Sequence, residues 1–176
     1  MSHWLILSAI GRDKPGLVAE LAQLIYDVDA NLEDSRMTIL GTDFAVILLA
    51  SCDSSDAADR ISLAAKSLER DHGLTIVLRS LTQGRRPAIP SPGTRPIRVT
   101  ASGEDKAGIV MGVCRTLANL GVNICELSTS SQPGPGGSPH YQLNISAEAP
   151  QNVDAGEIDA ALSREADRLV IDIKLE

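Results

Sequence analysis

An internal repeat limits the possible folds of this chain more than any other property of its sequence. The segment GRDKPGLV at residues 11–18 returns as GEDKAGIV at residues 103–110, which is 92 residues later. The pair Asn31-Leu32 returns at the same spacing as Asn123-Ile124, and the apolar positions in between also agree. Two copies are too few for a solenoid, which needs about three or more repeats. The sequence therefore predicts a small domain that has been duplicated.

A proline-rich segment separates the two copies. Residues 83–95 hold three prolines and two glycines, and only Ala88 and Ile89 are apolar among the rest. This composition is typical of an extended linker. We therefore predict an N-terminal domain over 1–82 and a C-terminal domain over 96–176. Because a domain of about 80 residues buries a limited core, each copy is expected to bury surface against the other copy or against a second subunit.

The two copies show the same order of hydrophobic periodicities. Strands are predicted at 4–10, 32–40, 44–51 and 74–81 in the first copy, and at 97–101, 123–131, 141–149 and 170–175 in the second. One predicted helix lies between the first two strands of each copy, and another lies before the last strand. Each copy is therefore expected to be a ferredoxin-like βαββαβ unit, with two helices on one face of an antiparallel sheet, which makes the fold class α+β.

Three details of this assignment can be tested. Residues 53–55 (Asp-Ser-Ser) are expected to cap the second helix. Asp154, with Glu157 three residues later, is expected to cap the fourth helix. Trp4, on the first strand, is expected in the core.

Composition excludes several functional classes. The net charge of −7 and the pI near 4.9, with both halves negative, are unfavourable for binding a polyanion, so direct contact with nucleic acid is not predicted. The longest apolar run, residues 44–50, is far shorter than the roughly 20 residues of a membrane span, and the first residues lack the basic segment of a signal peptide. We therefore expect a cytoplasmic protein without membrane contact.

The sequence carries no motif that indicates catalysis or a metal site. HExxH, GxSxG, Walker A and GxGxxG patterns are all missing, and the three histidines are scattered. The three cysteines form no CxxC pair, which disfavours a zinc site and a disulfide framework. We predict neither an enzyme nor a cofactor, and an auxiliary catalytic role is the weakest alternative.

The repeated loop is the candidate binding site. In both copies it joins a strand to a helix, and Gly16 and Gly108 are expected in the first helical turn, where backbone N–H groups and the positive helix end can receive a carboxylate. Asn31 and Asn123 open the next strand and are expected near the same helix end, where their amides could recognise an ammonium or a carboxylate. A free amino acid carries both groups. A tight turn without a ligand is the alternative, because Gly and Asn are common turn residues.

The motif Gly-x-Asp-Lys-Pro/Ala-Gly-Leu/Ile-Val, followed by a helix and Asn-Leu/Ile, resembles the ACT domain, a regulatory module usually specific for amino acids. Two copies, a proline-rich linker and a Pro/Gly loop at 132–139 are together similar to the glycine cleavage system transcriptional repressor family, over nearly the whole chain. The resemblance implies an amino-acid-responsive regulator, with glycine as the favoured ligand. It also implies action on a DNA-bound regulatory protein rather than on DNA, and a homodimer is one possible assembly.

Carried over residue by residue, the resemblance implies ligand contacts in both copies. They are Asp13, Lys14, Pro15, Gly16, Leu17, Val18, Asn31 and Leu32 in the first copy and Asp105, Lys106, Ala107, Gly108, Ile109, Val110, Asn123 and Ile124 in the second. Ala107 stands where Pro15 stands in the first copy, so two competent sites do not follow. The alternative function is a ligand-free protein-interaction module that uses an exposed sheet surface or the loop at 132–139.

Overall fold

The computed structural model describes residues 3–82, 84, 90–104, 106–133 and 139–176 of the 176-residue chain. The predicted site residue Asp105, residues 83 and 85–89 of the predicted linker and residues 134–138 of the Pro/Gly loop lie outside this part. The chain divides into two units, Met1–Arg86 and Pro87–Glu176. The predicted domain boundaries at 82 and 95 stay predictions.

The N-terminal unit follows the order βαββαβ. Its elements are β1 (His3–Arg12), α1 (Leu17–Tyr26), β2 (Asn31–Leu40), β3 (Asp43–Cys52), α2 (Ala57–His72) and β4 (Thr75–Leu81). The strands form an antiparallel sheet in the order β2-β3-β1-β4. Alternate residues of β1 and β3, such as Leu7 and Leu48, are buried together with Leu21 and Ile61 of the helices. The core therefore lies between the sheet and its two helices.

The C-terminal unit repeats this order. Its elements are β5 (Thr94–Glu104), α3 (Ile109–Asn119), β6 (Asn123–Pro133), β7 (Pro139–Pro150), α4 (Ala155–Leu169) and β8 (Asp172–Leu175). The sheet order β6-β7-β5-β8 corresponds strand by strand to that of the first unit. Val99, Leu117, Leu143 and Ile158 are fully buried in its core. The predicted α+β fold of two ferredoxin-like units is confirmed.

Some predicted element ends and caps are wrong. The strand predicted from Val170 begins at Asp172, because Val170 takes the left-handed conformation (φ 57°) that ends α4. Residues 53–55 do not cap α2, since the N-cap is Asp56 and its side chain makes no cap hydrogen bond. The predicted Asp154 cap is confirmed, because its Oδ1 accepts the Gly156 N–H at 2.8 Å.

Each sheet has a second face that points away from its helices, which we call the open face. Side chains alternate across a strand, so Leu5, Leu7 and Ala9 of β1 face the helices while the residues between them face the other way. Trp4 therefore lies on the open face, where its indole contacts the Gly84 backbone, and the expectation that it joins the core is wrong.

Candidate functional site

The glycine of each repeated motif is the N-cap of the following helix. Gly16 has φ 99° and ψ −21°, and Gly108 has φ 97° and ψ −2°, so both are left-handed. A residue with a Cβ pays about 1–2 kcal/mol in this region, which explains why glycine stands at both places. The sequence analysis placed both glycines in the first helical turn, but they are the N-caps, directly before that turn.

Neither of these helices has a side-chain cap from the residues that the structure describes. Within those ranges no side chain caps the first turn of α1 or α3, whereas Asp154 does so for α4. The loop carbonyls contribute little, since the Leu17 N–H reaches the Lys14 carbonyl only at 3.5 Å. The first N–H groups of a helix and its positive end together favour an anion. Each unit thus presents one such helix end directly behind its repeated loop.

The two helix ends differ in charge. Glu20 lies in the first turn of α1, and its Oε1 is 4.0 Å from the position that a Cβ on Gly16 would occupy. Its Oε2 is 2.9 Å from the His72 Nε2 at the end of α2. The corresponding residue of α3 is Gly112, and the first turn of α3 contains no acidic residue. The end of α3 is therefore the better place for a carboxylate, because no side-chain carboxylate of its own helix competes there.

An ion pair on α4 lies against α3. Glu165 receives hydrogen bonds from Arg168 Nε at 2.9 Å and from Arg168 Nη2 at 2.6 Å. These bonds hold the pKa of the Glu165 carboxyl below its usual range. The Glu165 carboxylate occupies the space that a side chain on Gly112 would need. The carboxylate that faces Gly112 of α3 is thus matched by a cation of its own helix.

The predicted loop residues have different environments. Leu17 and Ile109 are buried in the cores of their units, so only their backbone N–H groups can face a ligand. Side chains that are exposed or half-buried surround them: Asp13, Lys14, Pro15, Val18, Lys106, Ala107 and Val110. Lys106 Nζ lies 3.7 Å from Glu104 Oε2 and remains partly exposed.

The asparagines lie at the other end of each sheet. Asn31 pairs with Ser51, which is opposite Trp4, whereas the loop follows Arg12. Trp4 and Arg12 are eight residues apart on β1, or about 26 Å at roughly 3.3 Å per residue. Because α1 runs back along the sheet, β2 starts at the same end of the sheet as β1, with β3 between them. The expectation that the Asn31 amide lies near the Gly16 helix end is therefore wrong within one unit.

The same holds for the C-terminal unit. Asn123 pairs with Glu148 near the start of β5, while the loop follows Glu104 at its end. The topology, rather than any single residue, separates loop and asparagine in both units.

A bulge accounts for the local role of Asn31. The register of β2 against β3 shifts between Leu32 and Asp34, so Glu33 is the extra residue. Glu33 Oε1 accepts hydrogen bonds from Asn31 Nδ2 at 2.9 Å and from Ser51 Oγ at 2.6 Å. The β6 register shifts at the corresponding place, between Ile124 and Glu126. The sequence did not indicate this bulge or its hydrogen bonds, apart from the repeated Asn-Leu/Ile pair.

The three cysteines are free thiols. Cys52 is buried, and Cys114 and Cys125 are partly buried. Burial raises the pKa of both the Cys52 thiol and the Cys114 thiol above the ordinary value of a cysteine. A raised pKa leaves little thiolate at neutral pH, which argues against a nucleophilic role for these two residues.

None of the helices in the described ranges combines the length and the apolar character that crossing a bilayer requires.

Comparison with known proteins agrees with the fold. The family model of the ACT domain matches residues 3–79. Over 162 residues the chain is 30% identical to the glycine cleavage system transcriptional repressor of Escherichia coli strain K12, covering 90% of this chain and 82% of that protein.

Two solved structures extend this similarity to the whole chain. The crystal structure of a Galdieria sulphuraria protein matches with a TM-score of 0.85 at 32% identity, covering 100% of this chain and 98% of that one. A second solved structure matches with a TM-score of 0.71 at 19% identity, covering 100% of this chain and 97% of that one, and shows the same fold. The chain belongs to the family of tandem ACT-domain proteins that includes the glycine cleavage system transcriptional repressor.

Proposed function

We propose that this protein is an amino-acid-responsive regulator of the glycine cleavage system that acts through a DNA-bound protein partner. The name of the Escherichia coli relative supports the regulatory role and the system. The net charge of −7 supports a protein partner, because an acidic chain is repelled by the phosphate backbone of DNA. Glycine is the favoured ligand.

The observation that carries the ligand proposal is the end of α3, which follows a left-handed glycine and which no described side chain caps. The N–H groups of Ile109, Val110 and Met111 would receive the ligand carboxylate, and the partly exposed Lys106 would add positive charge. Glu20 makes the end of α1 less suitable for a carboxylate. We therefore assign the carboxylate site to the C-terminal unit, where it involves the loop but not Asn123.

Ligand binding would regulate the interaction with the partner by changing the populations of two conformational states of the protein. A ligand shifts an equilibrium between two states only as far as it binds one of them more tightly. The partner would recognise the favoured state, and by linkage the partner would change the affinity for the amino acid by the same factor.

The first experiment measures thermal unfolding of the full chain with each of the twenty amino acids. A ligand that binds only the folded protein stabilises it by about 2.7 kcal/mol at a hundredfold excess over its dissociation constant. We expect glycine to raise the unfolding temperature more than the other amino acids do.

Two alanine substitutions locate the site. Gly108 and Gly121 flank α3, and both have positive φ, 97° and 69°. Gly108→Ala and Gly121→Ala therefore carry a similar backbone strain, but only the first places a methyl group at the proposed site. We expect the glycine-induced shift to be lost in Gly108→Ala and kept in Gly121→Ala. Equal shifts in both folded variants would contradict the site.

A ligand-free interaction module is the second candidate. The exposed apolar side chains on the open face of the N-terminal sheet, among them Ile10, Ile47 and Val77, favour it. This candidate predicts that no amino acid changes the unfolding temperature while partner binding persists.

A further inference from the structure

The open faces of the two sheets differ in polarity although the units share one fold. At the central positions of β5, β7 and β8 the open face is polar and is built from Arg98, Thr100, Ser102, Gln142, Asn144, Ser146 and Lys174. The matching positions of the N-terminal sheet hold Ile6, Ser8, Ile10, Ala45, Ile47, Leu49 and Val77. The same structural unit thus accommodates a polar open face, so the fold itself does not require the apolar one.

This apolar face is open to solvent. Ile10 is 53% exposed, Ile47 44% and Val77 51%. A shallow groove of about 450 Å³ runs across these residues, and a second groove of about 260 Å³ continues it past Ile6 and Leu49. Contiguous apolar patches of this kind mark interaction surfaces on soluble proteins.

Strand register arranges the side chains of this face in rows across the sheet. From β4 through β1 and β3 to β2, the rows are Arg79-Ile6-Leu49-Asp34, Val77-Ser8-Ile47-Arg36 and Thr75-Ile10-Ala45-Thr38. The first row carries a cation at one edge of the sheet and an anion at the other. In the other two rows a large apolar side chain of the central strands stands beside a small one.

A second copy of the same face complements this pattern. A twofold axis in the interface and parallel to the strands places β4 of one copy over β2 of the other, and β1 over β3. Arg79 then faces Asp34 twice, once at each edge. Ile10 faces Ala45 and Ile47 faces Ser8, so a large side chain lies over a small one in these two rows, while Ile6 faces Leu49 in an apolar contact. An axis perpendicular to the strands would place β4 over β4 and would leave Arg79 without an opposite charge.

We propose that the protein forms a homodimer in which the open faces of two N-terminal sheets pack against each other, with reciprocal Arg79–Asp34 ion pairs. Packed sheets lie about 10 Å apart and cross at about 30°, which leaves the edge side chains within reach of each other. Asp34 already pairs with Arg36 of its own strand at 3.1 Å, so its carboxylate would bridge two guanidinium groups. This inference is independent of the proposed ligand.

The area of the open face determines how tightly the proposed dimer is expected to associate. Four strands about 4.8 Å apart and about seven residues long give roughly 450 Å² per copy, which is at the low end for a specific interface. The dimer should therefore dissociate on dilution, and its mass has to be measured over a range from about 1 to about 100 µM.

Sedimentation of full-length charge variants tests the pairing. Arg79→Asp and Asp34→Arg each place like charges opposite one another in a homodimer, so each variant alone should be monomeric at concentrations where the unmodified chain dimerises. An equimolar mixture should restore a dimer with one copy of each variant, because both pairs are then attractive.

Matched lysine variants test the surface. Ile47→Lys should abolish the dimer, whereas Asn144→Lys, at the matching position of the polar face, should not change it. Circular dichroism spectra check that every variant is folded. An unmodified chain that stays monomeric throughout, a dimer that survives Ile47→Lys, or folded single variants that fail to associate when mixed would each overturn the proposal. The apolar face would then belong to a different partner.

Discussion

Val170 is a β-branched residue in a backbone conformation that suits glycine. Its φ of 57° and ψ of 53° are left-handed, and the branched side chain is 72% exposed. At the end of α2, the corresponding place in the N-terminal unit, Gly73 takes φ 68° and ψ 32°. Left-handed backbone is costly for β-branched residues, and here little burial compensates the cost.

Val170→Gly should therefore stabilise the protein by about 1 kcal/mol, because relief of strain exceeds the entropy that glycine adds to the unfolded chain. Gly73→Val should destabilise it by at least as much. Urea unfolding of both variants measures the free energies. A destabilised Val170→Gly variant would show that this helix end is not strained.

The sequence shows that a residue is glycine but not the sign of its φ. Gly16 and Gly108 were recognised because the repeat set them at the same place twice. Val170 was missed, because valine next to Ile171 continues a strand pattern, whereas in the structure Val170 ends α4 in the left-handed conformation.

At the scale of elements, hydrophobic periodicity predicted every strand and helix of the described ranges. Several of the predicted ends of these elements were wrong. Ends depend on local hydrogen bonds that several nearby polar residues could make. Asp154 satisfies the capping pattern and caps α4, whereas the Asp-Ser-Ser stretch before α2 leaves the N-cap to Asp56, whose carboxylate instead accepts a hydrogen bond from Ser54.

Two N-cap aspartates should therefore differ in their effect on stability. Asp154→Ala removes a bond to the Gly156 N–H and should lower the free energy of unfolding by about 1 kcal/mol. Asp56→Ala removes no cap bond and should cost clearly less. Denaturant unfolding compares the two variants, and equal losses would contradict the assignment of the cap.

The expected closeness of loop and asparagine was wrong at this same scale. The loop and the asparagine of each copy were recognised separately, and their residue types are those expected for a carboxylate and an ammonium. They lie at opposite ends of the sheet because α1 runs antiparallel to β1. The prediction considered only the residue types and therefore placed the two groups close together.

On the scale of the whole molecule, the repeat predicted two units, and each unit has its own core. Leu21 belongs to the buried cluster of the N-terminal unit and Leu117 to that of the C-terminal unit. The repeat did not predict that one open face is apolar and the other polar. The two copies agree at their core positions and differ at the positions outside the core.

Leu117→Ala should test the separation of the cores. The side chain is fully buried, so its truncation should cost about 2–5 kcal/mol. Hydrogen exchange followed by mass spectrometry should show faster exchange in peptides from residues 94–176 and little change in those from 3–81. A uniform increase over both units would mean that they unfold together.

The bulges of β2 and β6 bear on how the chain avoids aggregation. Both strands lie at the edge of their sheets, where unpaired backbone groups invite further chains to add as strands. Each is interrupted near its start, between Leu32 and Asp34 and between Ile124 and Glu126. A bulged edge twists away from a flat partner, so fibril growth along these edges is disfavoured. The duplicated interruption would thus protect nascent and partly unfolded chains, whose apolar faces are still unpaired.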